Sequence, residues 1–282
     1  MQLIDGNLVS SYVRENLKQL VLKKSFKITL AVILVGNNPA SRVYVSAKTR
    51  ECREVGIETK DFFLPEDTRE DELLRIIGEL NRDDDVDGIL VQLPLPKHID
   101  EFRIITSVSP FKDVDGFHPE NIGRLAIGKP FVEPCTPKGI IRLMEYYNIP
   151  IEGKRAVIVG RSNIVGRPLS LMLLHRNATV TICHSKTSDL AEVTRSADIL
   201  VVAVGKPFFV KSNMVKEGAV VIDVGINRVE LEGKSKVVGD VDFEDVKNLC
   251  SFITPVPGGV GPMTRAMLLE NTYTLAIRRR EC

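Results

Sequence analysis

The chain has 282 residues, 44% apolar and 27% charged, with 38 basic against 37 acidic residues and a formal net charge of +1. That balance fits a globular protein of one large or two moderate domains, long enough to bury a sizeable core without staples. It excludes a global electrostatic case for binding nucleic acid or an anionic membrane. Five cysteines stand at positions 52, 135, 183, 250 and 282. No two form C-x-x-C and their number is odd, so reduced thiols are expected rather than a disulfide framework.

The opening MQLIDGNLVSSYVREN carries acids and amphipathic spacing, unlike a signal or transit peptide. Apolar runs such as ADILVVAVG (197–205) fall short of the roughly eighteen residues that a bilayer span needs. The cytoplasm is the expected compartment.

LVSSYVRENLKQLVLKK (8–24) has helical periodicity, and ITLAVILVG (28–36) reads as a buried strand ending in a glycine turn. NNPASRVYVSAKTRECREVG (37–56) reads as a helix stopped at Gly56. Tyr44 and Lys48 lie four apart in it and so share a face. A phenol beside an amine points to acid/base chemistry. The same Y-x-x-x-K spacing marks the catalytic pair of short-chain dehydrogenases, and it also occurs on ordinary exposed helix faces. ETKDFFLP (58–65) is a short strand, TREDELLRIIGELNRD (68–83) a helix with early acids, and VDGILVQLPLP (86–96) a strand ending in prolines. This alternation implies parallel β-α-β units. Gln92 sits inside the last apolar run, where it must find a hydrogen-bond partner or cost about 1–3 kcal/mol.

Residues 107–136 show no long periodic element, and a segment so rich in loop is usually functional. Asp115 lies there in KDVDGFHPEN, a stretch that also suits turns. It lacks the spaced acids of a full calcium loop, and no metal is expected. PKGIIRLMEYYNI (137–149) reads as a helix with Pro137 in its first turn.

A second alternating series follows. KRAVIVG, ATVTICH, DILVVAVG and AVVIDVG read as strands, GRPLSLMLLHRN and SDLAEVTRSA as helices, and 261–280 as a last long helix. The expected fold is therefore two-domain α/β. Residues 1–140, joined by the helix at 262–282, form one domain, and residues 141–261 form a Rossmann-type domain.

RAVIVGRSNIVGRPLS puts a glycine turn between a buried strand and a helix, where a Rossmann fold binds pyrophosphate on free N–H groups. The pattern is Gly160-Arg161-Ser162, then Gly166 and Pro168, not G-x-G-x-x-G. The following strand ends in His184-Ser185-Lys186, without the acid that an NAD site carries for its ribose. A hydroxyl, nearby cations and no carboxylate suit a 2′-phosphate, so NADP is expected over NAD.

The blocks YVSAK, VQLPLP, KDVDGFHPENIGRL, PCTPKGI, GRSNIVGRP, TICHSKT, ADILVVAVGKP, VIDVGINR, GDVD and PVPGGVGPMTRAMLLENT occur in this order over residues 44–272. In that arrangement the chain closely resembles the bifunctional methylenetetrahydrofolate dehydrogenase/methenyltetrahydrofolate cyclohydrolase family, the FolD proteins. The resemblance implies a cytosolic homodimer whose protomer has an N-terminal catalytic α/β domain and a C-terminal NADP-binding domain. It implies oxidation of 5,10-methylenetetrahydrofolate by NADP⁺ and hydrolysis of the methenyl product to 10-formyltetrahydrofolate, which feeds purine and amino-acid synthesis.

The resemblance also implies roles for residues. Lys48 would manage protons in the hydrolysis, with Gln92 bonding and orienting it. Lysines are ordinarily protonated at pH 7, and burial or a nearby cation favours the neutral amine. Tyr44 would stack on the folate, and Asp115 would accept the paired N–H groups of the pterin edge. Val91, Leu93, Pro257, Gly258 and Gly259 complete the implied substrate contacts. Gly160, Arg161, Ser162, Ser185 and Ile226 are the implied cofactor contacts. A short-chain dehydrogenase is disfavoured, because Tyr44 and Lys48 precede the dinucleotide turn. A dehydrogenase without the hydrolytic step, or a non-catalytic NADP-binding regulator, would have little need of Lys48, Gln92 and Asp115 together.

Overall fold

A computed structural model describes residues 1–231 and 233–281, and the side chains of Ala40, Leu231 and Lys234 are outside that description. Cys282, both the fifth cysteine and the last residue of the helix expected over 262–282, lies outside the described residues, as does Glu232.

The chain begins with β1 (Gln2–Leu3) and α1 (Gly6–Leu22), followed by β2 (Thr29–Val35), α2 (Pro39–Val55), β3 (Glu58–Leu64), α3 (Glu70–Arg82) and β4 (Gly88–Val91). Then come α4 (Glu101–Ser107), α5 (Pro119–Ala126), α6 (Cys135–Tyr146), β5 (Arg155–Val159), α7 (Gly166–Leu174), β6 (Thr179–Cys183) and α8 (Leu190–Arg195). The remainder is β7 (Ile199–Val202), β8 (Val220–Asp223), β9 (Asn227–Leu231), β10 (Lys234–Val238), α9 (Phe243–Val246), β11 (Phe252–Ile253) and α10 (Val260–Arg280). The expected two-domain α/β class is the one the chain adopts.

The boundaries fall elsewhere than at 140 and 261. Met1–Ser11 group with Thr136–Thr264 in one compact unit, and Tyr12–Cys135 group with Arg265–Cys282 in the other. The first eleven residues join the 136–264 unit because β1 pairs in parallel with β11, Gln2 opposite Phe252 and Leu3 opposite Ile253. Apolar periodicity cannot find so short an edge strand.

In the 12–135 unit a three-stranded parallel sheet runs β3-β2-β4. All seven residues of β2 are buried, as a central strand covered on both faces requires. Leu73 and Ile77 of α3 and Ile104 of α4 close over Ala31, Ile33 and Ile89. Two buried charges are tied to this frame. Asp87 accepts the Thr29 N–H at 2.9 Å and is gripped by Arg280 at 2.8 and 3.1 Å. Lys112 donates to the carbonyls of Leu80 at 2.9 Å and Asp83 at 2.6 Å, groups that the end of α3 leaves without helical partners.

The 136–264 unit holds a six-stranded, all-parallel sheet in the order β1-β11-β8-β7-β5-β6. The chain leaves β5 toward β6 and returns to β7 on the other side. That reversal makes a switch point at the carboxyl ends of β5 and β7, the position where open α/β sheets take ligands. The core lies between strand residues such as Val157, Leu200 and Val221 and the layer carrying Val210, Val215 and Val246.

Candidate active site and cofactor site

Tyr44 and Lys48 point from one face of α2, and the backbone brings the end of β4 to the same place. The Nζ of Lys48, which is 9% exposed, donates to Oε1 of Gln92 at 3.0 Å. The Gln92 Nε2 in turn donates to the Leu93 carbonyl at 2.6 Å, which fixes the amide with its oxygen toward the amine. The need of Gln92 for a partner inside an apolar run is met by these two bonds. Tyr44 is half-buried one turn away on α2.

Asp115 is half-buried in the loop between α4 and α5. Its carboxyl is pushed up to about 6 by burial; the Lys48 charge draws it down and Asp113 raises it further. Lys48 and Asp115 therefore lie within electrostatic reach of each other. Val91, Leu93 and Asp115 line a small cavity with Ile89, Asp113 and Phe117. Five of the expected substrate residues (Lys48, Val91, Gln92, Leu93 and Asp115) thus form one cluster in the 12–135 unit, with Tyr44 beside it on α2.

The loop that presents Asp115 is built by Asp113, which sequence reasoning passed over. Asp113 Oδ1 accepts the Gly116 N–H at 3.0 Å, and Oδ2 accepts the His118 N–H at 2.8 Å and Asn121 Nδ2 at 2.9 Å. Burial holds its carboxyl above the usual carboxylate range, against the opposing pull of those donors. The alternation of acids in KDVDG was the available signal. The segment also contains α5, started by His118, whose Nδ1 accepts the Glu120 N–H at 3.1 Å, with Pro119 at the first helical position.

Pro257, Gly258 and Gly259 belong to the 136–264 unit, where they meet the start of α1. Gly6 N–H donates to the Gly258 carbonyl at 2.8 Å, and Gly258 has φ +105°, a conformation that side chains resist.

At the switch point of the six-stranded sheet lies a cavity of about 480 Å³, lined by Gly160, Arg161, His184, Ser185, Val204, Lys206 and neighbouring residues. None of its described lining residues carries a carboxylate. Gly160 has φ +130°, and a Cβ there would come 2.2 Å from the Ala203 carbonyl oxygen, so only glycine lets the β5 turn run against the end of β7. Arg161 and Ser185 are exposed at this cavity. The Ser162 Oγ accepts the Val165 and Gly166 N–H groups at 3.2 and 3.4 Å, so it shapes the entry to α7. Ile226 is half exposed in the turn after β8. Lys186, read from the sequence as a cation for the ribose phosphate, is not among the lining residues, and Lys206 is. The backbone cradle at Gly160, two cations and hydroxyls without an acid fit a phosphate-bearing dinucleotide.

No helix among the described residues is long and apolar enough to cross a membrane. Among those residues no group of three or more His, Cys, Asp or Glu side chains is arranged to hold a metal ion.

Comparison with known proteins places the chain. Residues 4–115 match the family model described as "Tetrahydrofolate dehydrogenase/cyclohydrolase, catalytic domain", and residues 134–280 match its "NAD(P)-binding domain". A bifunctional protein FolD from Campylobacter hominis is 56% identical over 99% of this chain and 98% of its own length. The crystal structure of a bifunctional FolD methylenetetrahydrofolate dehydrogenase/cyclohydrolase from Campylobacter jejuni is 52% identical and covers 99% of both chains with a TM-score of 0.94. A Trypanosoma brucei methylenetetrahydrofolate dehydrogenase-cyclohydrolase, solved with NADP cofactor and an inhibitor, is 36% identical over 99% of this chain and 98% of its own, also with a TM-score of 0.94. The chain belongs to the tetrahydrofolate dehydrogenase/cyclohydrolase family.

Proposed function

We propose that this protein oxidises 5,10-methylenetetrahydrofolate with NADP⁺ to 5,10-methenyltetrahydrofolate and hydrolyses that product to 10-formyltetrahydrofolate. The observation that carries the catalytic assignment is the 3.0 Å hydrogen bond from Lys48 to Gln92, in a cluster that also holds Asp115.

When bound, NADP⁺ supplies the hydride acceptor. The residues around it bind and orient. Backbone N–H groups of the turn at Arg161–Ser162 would hold the pyrophosphate, and the Arg161 guanidinium with Ser185 would hold the 2′-phosphate. On the folate side, the Asp115 carboxylate accepts two N–H bonds from the amino-pyrimidinone edge, and Tyr44 stacks on the flat part of the substrate. Val91 and Leu93 complete the binding surface of this unit. Hydride loss leaves a cation shared by N5 and N10 of the folate, so the first reaction asks mainly for position.

The second reaction asks for proton transfer. Lys48 in its amine form takes a proton from the water that adds to the cationic carbon. The resulting ammonium returns it to N5 as the C–N5 bond breaks, and the remaining hydroxyl proton of the adduct leaves to solvent as the formyl C=O forms. Gln92 holds one N–H of Lys48 throughout, which aims the nitrogen at the reacting carbon. The family resemblance further supports a homodimer working in the cytoplasm.

The test supplies purified protein with methylenetetrahydrofolate and NADP⁺ and follows methenyl absorbance as it rises and decays. Rise followed by decay faster than in buffer is expected. No rise would refute the whole reading, and decay at the spontaneous rate would leave a dehydrogenase alone.

A further inference from the structure

Asp240, in the stretch GDVD, is fully buried and lies outside the residues already given roles. Its Oδ2 accepts the N–H groups of Val204 at 2.6 Å and Gly205 at 2.9 Å. Its Oδ1 accepts the N–H of Lys206 at 2.8 Å and Nδ2 of Asn227 at 2.9 Å. Three consecutive backbone donors at the end of β7 thus converge on one carboxylate. Val204 and Lys206 line the 480 Å³ cavity, and Ala203, just before them, is the residue against which Gly160 packs. Asn227 is the first residue of β9 and follows Ile226.

The carboxylate is itself held in place. Asp223 Oδ1 accepts the Asp240 N–H and the Gly225 N–H, each at 2.9 Å, and Asp223 Oδ2 accepts the Val241 N–H at 2.9 Å. There is no slack around the pair. A Cβ at Gly239 would sit 1.8 Å from Asp223 Oδ2, and one at Gly225 would sit 2.3 Å from Asp240 Oδ1. Four N–H donors use up the acceptor capacity of an ionised carboxylate. An amide of the same shape would turn an NH₂ toward two of them.

We propose that Asp240 is a positioning residue of the dinucleotide site, fixing the Val204–Lys206 turn and the start of the β9 hairpin in the form that binds NADP⁺. The proposal rests on the NADP reading given above. Asp240 touches no ligand in it and acts only through the backbone it anchors.

Calorimetric titration of the full chain with NADP⁺ tests it. Asp240→Asn is expected to raise the Kd at least tenfold at unchanged stoichiometry. In steady state the loss should fall on KM for NADP⁺ and not on KM for the folate. A role in stability alone would reduce the fraction of protein that binds and leave the Kd of that fraction as in wild type, which would overturn the proposal. If Asp240→Asn does not fold, Asn227→Ala decides: it removes one of the four donors and should raise the Kd about threefold, and a wild-type Kd would overturn the proposal. Wild-type protein that fails to bind NADP⁺ at all would refute the cofactor reading beneath it, a result distinct from an Asp240 variant that binds normally.

Discussion

Lys48 donates to Gln92 at 3.0 Å, from a helix to the end of a strand in the same unit, and the Gln92 amide is itself locked by its bond to the Leu93 carbonyl. In the proposed mechanism this lysine is a positioned acid/base group, and such groups are worth roughly 10²–10⁴ in rate. Lys48→Met should therefore slow methenyl hydrolysis at least about 100-fold, measured as absorbance decay above the buffer rate. Gln92→Ala leaves the amine but not its orientation, and about a tenfold loss is expected. Hydrolysis by Lys48→Met near the wild-type rate would remove Lys48 from the proton path.

The role proposed for Asp115 would give the reaction a pH signature. Its carboxyl is pushed up to about 6, chiefly by burial, so it is neutral below that pH and a paired acceptor above it. The kcat/KM for the folate should fall as pH drops through 6, approaching tenfold per unit. Asp115→Asn should be low throughout and lack this limb. Unfolding through this group does not account for such a loss. A carboxyl whose folded-state value is raised favours folding most in acid and loses that contribution as pH rises from about 4 to about 6. A wild-type profile flat from pH 7 to 5 would sink the assignment.

Cofactor choice should depend on Arg161. A charge-assisted hydrogen bond to a phosphate is worth about 1.5–3 kcal/mol, so Arg161→Ala should weaken NADP⁺ binding about 10- to 100-fold. NAD⁺ lacks the 2′-phosphate and should bind within about threefold of wild type. Equal losses for both, in parallel titrations, would refute the 2′-phosphate contact.

Stability of the 12–135 unit should depend on α10. Arg280 grips the fully buried Asp87 at 2.8 and 3.1 Å, and Arg279 stands 3.6 Å from the same carboxylate. Removing one partner of a buried pair costs about 3–5 kcal/mol. Arg280→Ala should sit near the low end, because Arg279 remains. Urea midpoints measure it, and a loss below about 0.5 kcal/mol would show that Asp87 does not need this partner.

The regular elements were legible in the sequence because each has its own pattern. The run at 28–36 became β2 at Thr29–Val35, and the run at 37–56 became α2 at Pro39–Val55. The glycine turn at 160 was legible because its strand and helix flank it directly. Elements whose stability comes from distant partners were hidden. β1 is two residues long and exists through its pairing with β11. Asp113, Asp223 and Asp240 were unread for a different reason. Their partners are mostly backbone N–H groups, which carry no residue-type signal, and for Asp240 the three at 204–206 lie over thirty residues away in sequence. Lys186 follows β6 and Lys206 follows β7, and only the fold shows which of the two lines the cavity.

The division of the chain into Met1–Ser11 with Thr136–Thr264, and Tyr12–Cys135 with Arg265–Cys282, bears on synthesis. Neither unit is a continuous stretch. On the ribosome, the strand Gln2–Leu3 waits for Phe252–Ile253, and Asp87 waits for Arg280. Nascent chains of a hundred or two hundred residues therefore expose an unpaired strand edge and an unneutralised buried acid, the features that make intermediates prone to aggregation. A gene fragment cut to 12–135 would inherit the second defect permanently, and one cut to 136–264 the first.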